Sequence, residues 1–146
     1  MLDKPNGCWS RITIGEWSER CSDADDVPFM LLEALEESCR TYKPIAVKFD
    51  AEGYEYIIVF DWIETHIISD KDNKYTYTTI AADRDVLAHQ LIVDILADLD
   101  DWAAWRSVSD DECEERMKDL AIMCDILNRR IPSDGSLYQN HNNQEG

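Results

Sequence analysis

Carboxylates are the side chains of this sequence whose number and spacing could do chemistry. Asp94, Asp98 and Asp101 lie four and three residues apart, so on a single helix they would form one acidic stripe. Such a stripe can hold a divalent cation when a second element adds ligands, as in a metal-dependent nuclease. No basic residue or second acidic motif accompanies it, so a solvated helix face is the expectation. Asp70-Lys71-Asp72-Asn73 opens like a calcium loop, but Tyr75 stands where that loop needs glycine and Ala81 where it needs the closing glutamate. Glu64 and His66 alternate on a strand and can share a face, with no nucleophile placed beside them by sequence. Of the other two histidines, His89 and His141, the latter falls in the expected polar tail, and spaced Cys/His ligands for zinc are missing. The five glycines form no phosphate loop or dinucleotide fingerprint. The chain therefore reads as a non-enzyme, with no catalytic residue, metal or cofactor expected.

What remains is the chemistry of the carboxylates themselves. The chain of 146 residues has 31 Asp and Glu against 14 Lys and Arg, a formal charge of −17. From Asp94 to Asp119, ten acids face only Arg106, Arg116 and Lys118. Such a body repels nucleic acid and membranes, whose phosphates need cations, and attracts basic protein surfaces. Helix neighbours three or four apart sit roughly 5–6 Å apart at Cβ, and alternate strand residues roughly 6.6–6.8 Å. Both spacings are comparable to that of successive phosphates, and an arginine fork accepts a carboxylate as readily as a phosphate. Concentrating like charges costs self-repulsion, which a basic partner offsets.

These groups must be positioned by a folded body. Apolar residues make up 45% of the chain, too many for a disordered acidic polymer. Residues 1–132 are expected to form one α+β domain, with 133–146 a polar, disordered C-terminal tail. Ile12 and Ile14, between Trp9 and Trp17, suggest an extra N-terminal strand, followed by a polar connection from Ser18 to Asp26. Pro28, Leu32, Leu35, Cys39 and Tyr42 mark a helix, capped by Asp25 or Asp26 and stopped before Pro44. Three strands follow as an antiparallel meander: Ile45–Asp50, a run from Tyr54 to Ile63 covered on both faces, and Tyr75–Ile80. Two C-terminal helices close the domain and pack on the sheet. One is capped by Asp83 or Asp85 and runs to Trp102, and the other opens with the capping box Ser109–Glu112. In that last helix Cys113, Met117, Leu120, Cys124, Leu127 and Ile131 form the apolar stripe.

Five scattered cysteines, none in a C-x-x-C pair, fit reduced thiols. Lys4-Pro5-Asn6-Gly7 precedes any apolar run, so no signal peptide or membrane span is expected, and the location expected is cytoplasmic.

This order of elements in a small, very acidic protein resembles the phage-encoded type II-A anti-CRISPR inhibitors. Glu52-Gly53-Tyr54-Glu55-Tyr56 is similar to that family's acidic-Gly-x-Glu-Tyr hairpin. Asp110-Asp111-Glu112-Cys113-Glu114, after Trp105, is similar to the acidic run that opens its last helix. The likeness covers residues 28 to 130 in outline. It implies a DNA mimic seated where an RNA-guided nuclease reads its protospacer-adjacent motif. Glu52, Glu55, Asp111, Glu112 and Glu114 would be the imitating carboxylates, held by the turn at Gly53, with Asp110 at the margin. Asp94, Asp98 and Asp101 complete the candidate partner-binding set. The partner expected is thus a basic protein, a nuclease or another nucleic-acid-binding enzyme. An immunity protein against a basic bacterial toxin would present the same surface. An acidic adaptor domain would instead use tryptophans such as Trp9, Trp17, Trp102 and Trp105 as anchors. The sequence leaves the oligomeric state open.

Overall fold

The computed structural model describes residues 1–132; the expected tail, 133–146, lies outside the described residues. Among the described residues the class is α+β, with four α-helices and two antiparallel sheets.

The N-terminal segment holds two strands rather than one. β1 (Trp9–Ile14) pairs with β2 (Trp17–Ser22) across the two-residue turn Gly15-Glu16. Gly15 takes φ +58° at the first of these positions, where a residue with a Cβ would be strained. β2 escaped the sequence reading because Ser18, Glu19 and Arg20 show no apolar alternation. Their polar groups are half-buried and occupied by neighbours.

α1 (Val27–Thr41) begins with Pro28 in its first turn. Asp26 stands at the N-cap position, yet its side chain does not cap, because its carboxylate is taken by Arg116. Tyr42 ends the helix in the left-handed region (φ 59°), before Pro44.

The main sheet has four strands, not three: β3 (Ile45–Asp50), β4 (Glu55–Phe60), β5 (Glu64–Ser69) and β6 (Thr76–Ala81), paired in that order. The expected long strand from Tyr54 to Ile63 breaks at Asp61, whose N–H donates to Glu64 O at 3.0 Å. The two central residues of this turn are Trp62 and Ile63, 63% and 61% exposed. Apolar side chains at turn positions carried the alternation through a reversal that Gly or Asn would have marked.

Among the described residues the sheet is also covered on one face only. Phe49, Tyr56, Ile58, Phe60 and Ile67 are buried, while Ile57 and Val59 on the outer face stay half-buried. α1 lies over β3 and β4. The hairpin joins it on this face, with Trp17 edge-on to Tyr56 at 5.5 Å.

The expected penultimate helix is broken into α2 (Arg84–Ala97) and α3 (Leu99–Ala104), because Asp98 leaves helical geometry at φ −126°, ψ 37°. Asp83 caps α2, accepting from the N–H groups of Asp85 (2.8 Å) and Val86 (3.3 Å). α4 (Asp110–Arg130) packs on α1, α2 and α3 rather than on the sheet. Its stripe is as read: Leu120, Cys124 and Leu127 are buried, with Cys113, Met117 and Ile131 packed at the margin. α1 and α4 run in the same direction: Arg116 meets Asp26 just before α1, and Arg130 meets Glu36 further along it. Among the described residues no helix is long and apolar enough to cross a membrane.

Candidate acidic interface

The turn between β3 and β4 is closed by Ala51 N–H donating to Tyr54 O at 2.9 Å, with Glu52 and Gly53 at its centre. Both have positive φ, 56° and 126°. Asn or Gly is the usual choice at the first such position, because a larger residue is strained there. Glu52 is exposed at this tip, and Asp50 Oδ1 accepts its N–H at 2.7 Å. Arg20 of β2 pins the turn from below. Its Nε donates to Ala51 O and a terminal nitrogen to Glu52 O, both at 3.1 Å. The guanidinium sits over the rings of Trp9 (4.8 Å) and Tyr54 (5.4 Å). This cation therefore serves the backbone and leaves the Glu52 carboxylate without an ion-pair partner among the described residues. Glu55 is different: it lies on the outer sheet face, paired with Lys48 at 3.1 Å. With Lys48, Ile57, Ile68, Asp70 and Tyr75 it lines a shallow cleft of ≈ 180 Å³.

At the start of α4, Ser109 Oγ accepts the Glu112 N–H at 3.2 Å. Glu112 Oε2 reaches back to the Val108 N–H at 3.1 Å, one residue before the cap. Glu112 is thus occupied as a capping group. Asp110, Asp111, Glu114 and Glu115 are exposed and have no ion-pair partner among the described residues. The helix N-terminus favours negative charge here. Arg116, the nearest cation, grips Asp26 with two nitrogens at 2.9 and 3.0 Å and donates Nε to Ala103 O at 3.2 Å. Hydrogen bonding to Asp26 raises its pKa further, so it remains charged but committed inward.

The fold brings these two segments to one end. Asp25 Oδ2 accepts the Asp50 N–H at 2.7 Å, and Ser22 Oγ donates to Asp50 O at 3.3 Å, tying the β3 end to the β2–α1 junction. Arg106, in the loop before α4, donates to Asp23 O in that same junction. Trp105 Nε1 donates to Gly7 O at 2.9 Å. Beside Gly7, the Cys8 thiol is pushed above its ordinary pKa, first by the charge of Asp23 and a hydrogen bond to it. Slight desolvation and the charge of Glu52 add to this. Both carboxylates disfavour the thiolate, so Asp23→Asn or Glu52→Gln should speed alkylation of Cys8 at pH 8, as read by peptide mass mapping. Unchanged rates would mean that neither the β2–α1 junction nor the β3–β4 turn brings its carboxylate to bear on Cys8. Buried Cys21, Cys39 and Cys124, with thiols raised by burial to about 12, 11 and 11, should react only on unfolding.

Asp94, Asp98 and Asp101 do not form one stripe, since the helix breaks at Asp98. Asp94 Oδ2 accepts from the Met1 ammonium (2.7 Å) and the Leu2 N–H (2.9 Å), and Asp101 faces Lys4 at 3.6 Å. These acids hold the N-terminal segment. Among the described residues no group of three or more His, Cys, Asp or Glu is placed to hold a metal. His66 lies on the outer sheet face between Glu64 (Nε2, 3.5 Å) and the Tyr77 hydroxyl (Nδ1, 2.6 Å).

Sequence reasoning missed Arg20, Asp23 and Asp25 as organisers of this end. The run Asp23-Ala24-Asp25-Asp26 was visible, but its position before a helix suggested only a cap. Comparison with protein-family models, curated proteins and solved structures finds no match to this chain.

Proposed function

We propose that this domain is an acidic inhibitor that occupies the nucleic-acid groove of a basic enzyme by imitating DNA, most concretely an RNA-guided type II nuclease. The observation that supports it is the convergence of Glu52 with Asp110, Asp111, Glu114 and Glu115 at one end, where Arg20, Arg106 and Arg116 are engaged with the scaffold. The carboxylates there are left for a partner. They stand on a hairpin tip and a capped helix, so little ordering entropy is lost when Lys and Arg side chains close on them. Encounter would be steered by charge and would weaken with salt.

The backbone at Glu52 supports the same reading. A glutamate in left-handed geometry carries a local cost, as Tyr42 does at the end of α1, and at this tip a partner gripping the exposed carboxylate would offset it. Glu52→Asn is expected to stabilise the fold by several tenths to about 1 kcal/mol, by relieving that strain, while weakening the partner. Urea unfolding beside a binding titration would check both; a variant less stable than the parent would refute the strain argument.

The function is tested by competition between this protein and labelled target DNA for a guide-loaded type II nuclease, at low and moderate salt. Displacement that fades with salt is expected. No displacement at low salt would overturn this target.

A further inference from the structure

We propose that β6 is an open sheet edge on which a second copy of this chain docks antiparallel, joining two four-stranded sheets into one. Among the described residues β6 is hydrogen-bonded on one side only, to β5. Every residue from Thr76 to Ala81 is exposed except Ile80, which is half-buried. Its outward N–H and C=O groups form a ready template for another strand. The opposite edge is managed: β3 follows Lys43-Pro44, carries exposed Lys48, and meets Ser22 of β2 at Asp50. Among the described residues β6 has no such guard. From Tyr75 to Ala82 there is no Asp, Glu, Lys, Arg or His, in a chain that is 31% charged. The strand is made of Thr, Tyr and Ile, which suit pairing. Exposed Tyr77 and Ile68, opposite one another in the β5–β6 register, extend the neutral surface onto the outer sheet face.

Charge selects the occupant and its direction. Lys74, two residues before β6, has no ion-pair partner among the described residues. At the other end stand Asp83, two residues after the strand, and Glu64, opposite Ala81. Lys71 and Asp72 lie further from β6 along the chain, and Lys71 pairs with Glu19 at 3.5 Å. Antiparallel pairing about the strand centre brings Lys74 of each copy towards Asp83 and Glu64 of the other, twice over. Parallel pairing would set Lys74 against Lys74. A chain of charge −17 repels its own copy almost everywhere, so contact between copies needs a surface free of uncompensated acid. A basic target, by contrast, finds no carboxylate on this strand to hold.

Sedimentation equilibrium on the full chain across roughly 1–500 µM would test this, covering micromolar association. The mass is expected to rise towards twice the 16.9 kDa of one chain; a single-chain mass throughout would overturn the proposal. Thr78→Lys puts like charges face to face at the seam and should hold the protein at single-chain mass with an unchanged circular dichroism spectrum. A dimer persisting in that folded variant would place the contact elsewhere and overturn it too. Lys74→Glu should weaken the dimer by about tenfold or more. Adding Asp83→Asn, which keeps the helix cap, should recover part of that loss. Failure to recover would overturn the antiparallel assignment.

Discussion

Changing Asp111 and Glu114 together to lysine is expected to weaken binding to the proposed basic target by roughly 100- to 1000-fold, about 3–4 kcal/mol, with the fold intact. The two residues lie three apart on α4, so their side chains share a face. Reversal both removes two attractive partners and sets two cations against the target's own. Glu112 is left alone because its carboxylate holds the Val108 N–H, and changing it would mix a helix-capping loss with a binding loss. Two lysines near the start of α4 oppose the helix dipole, each by about 0.3–1 kcal/mol, which a 21-residue helix packed on three others tolerates. The DNA-competition titration reads the binding loss and urea unfolding checks the fold. Undiminished competition by the folded double variant would refute the assignment of the acidic face.

The second large effect is on stability. Trp102→Ala should cost about 3–5 kcal/mol, because the ring is fully buried and its removal leaves a cavity between α3 and its neighbours. The expected drop in Tm is roughly 10 °C, at about 2–4 °C per kcal/mol for a chain of this size. Trp102 also meets Trp105 edge-on at 5.1 Å, and Trp105 fastens Gly7. The variant should therefore loosen the Gly7–Cys8 loop and speed alkylation of Cys8 below the unfolding transition. Trp102→Phe should cost far less, since the buried Nε1 has no acceptor among the described residues and little is lost with it beyond volume. Thermal unfolding followed by tryptophan-independent far-ultraviolet dichroism would rank the two. Equal losses would mean that the indole N–H, and not the ring volume, holds α3.

Legibility in the sequence followed the strength of local periodicity. α1 and α4 were readable because apolar residues recur at three and four and because Pro28 and Ser109 punctuate their starts. β3 and β6 were readable from alternation or composition. Three features were not. The β4–β5 turn hides behind Trp62 and Ile63; β2 hides because its polar residues are occupied by partners distant in sequence; and the break at Asp98 lacks Gly or Pro. The acidic segments were visible one by one, but their meeting at one end was not. That meeting depends on contacts spanning about 25 to 90 residues: Asp25 with Asp50, Arg116 with Asp26, Arg106 with Asp23. The fate of Asp94 and Asp101 was equally hidden, since their partners lie in the first four residues.

The way the acidic end is tied together bears on how it can evolve. Arg20 is fastened to the carbonyl oxygens of Ala51 and Glu52, Arg106 to that of Asp23, and Arg116 in part to that of Ala103. Carbonyl oxygens are supplied by every amino acid, so the ties do not depend on which side chain stands at those positions. Substitutions at 23 and 52 can therefore accumulate without these ties having to adapt alongside. Asp25 and Asp26, which are gripped through their own carboxylates, have no such freedom. Sequence drift in this lineage should concentrate on the first pair and spare the second.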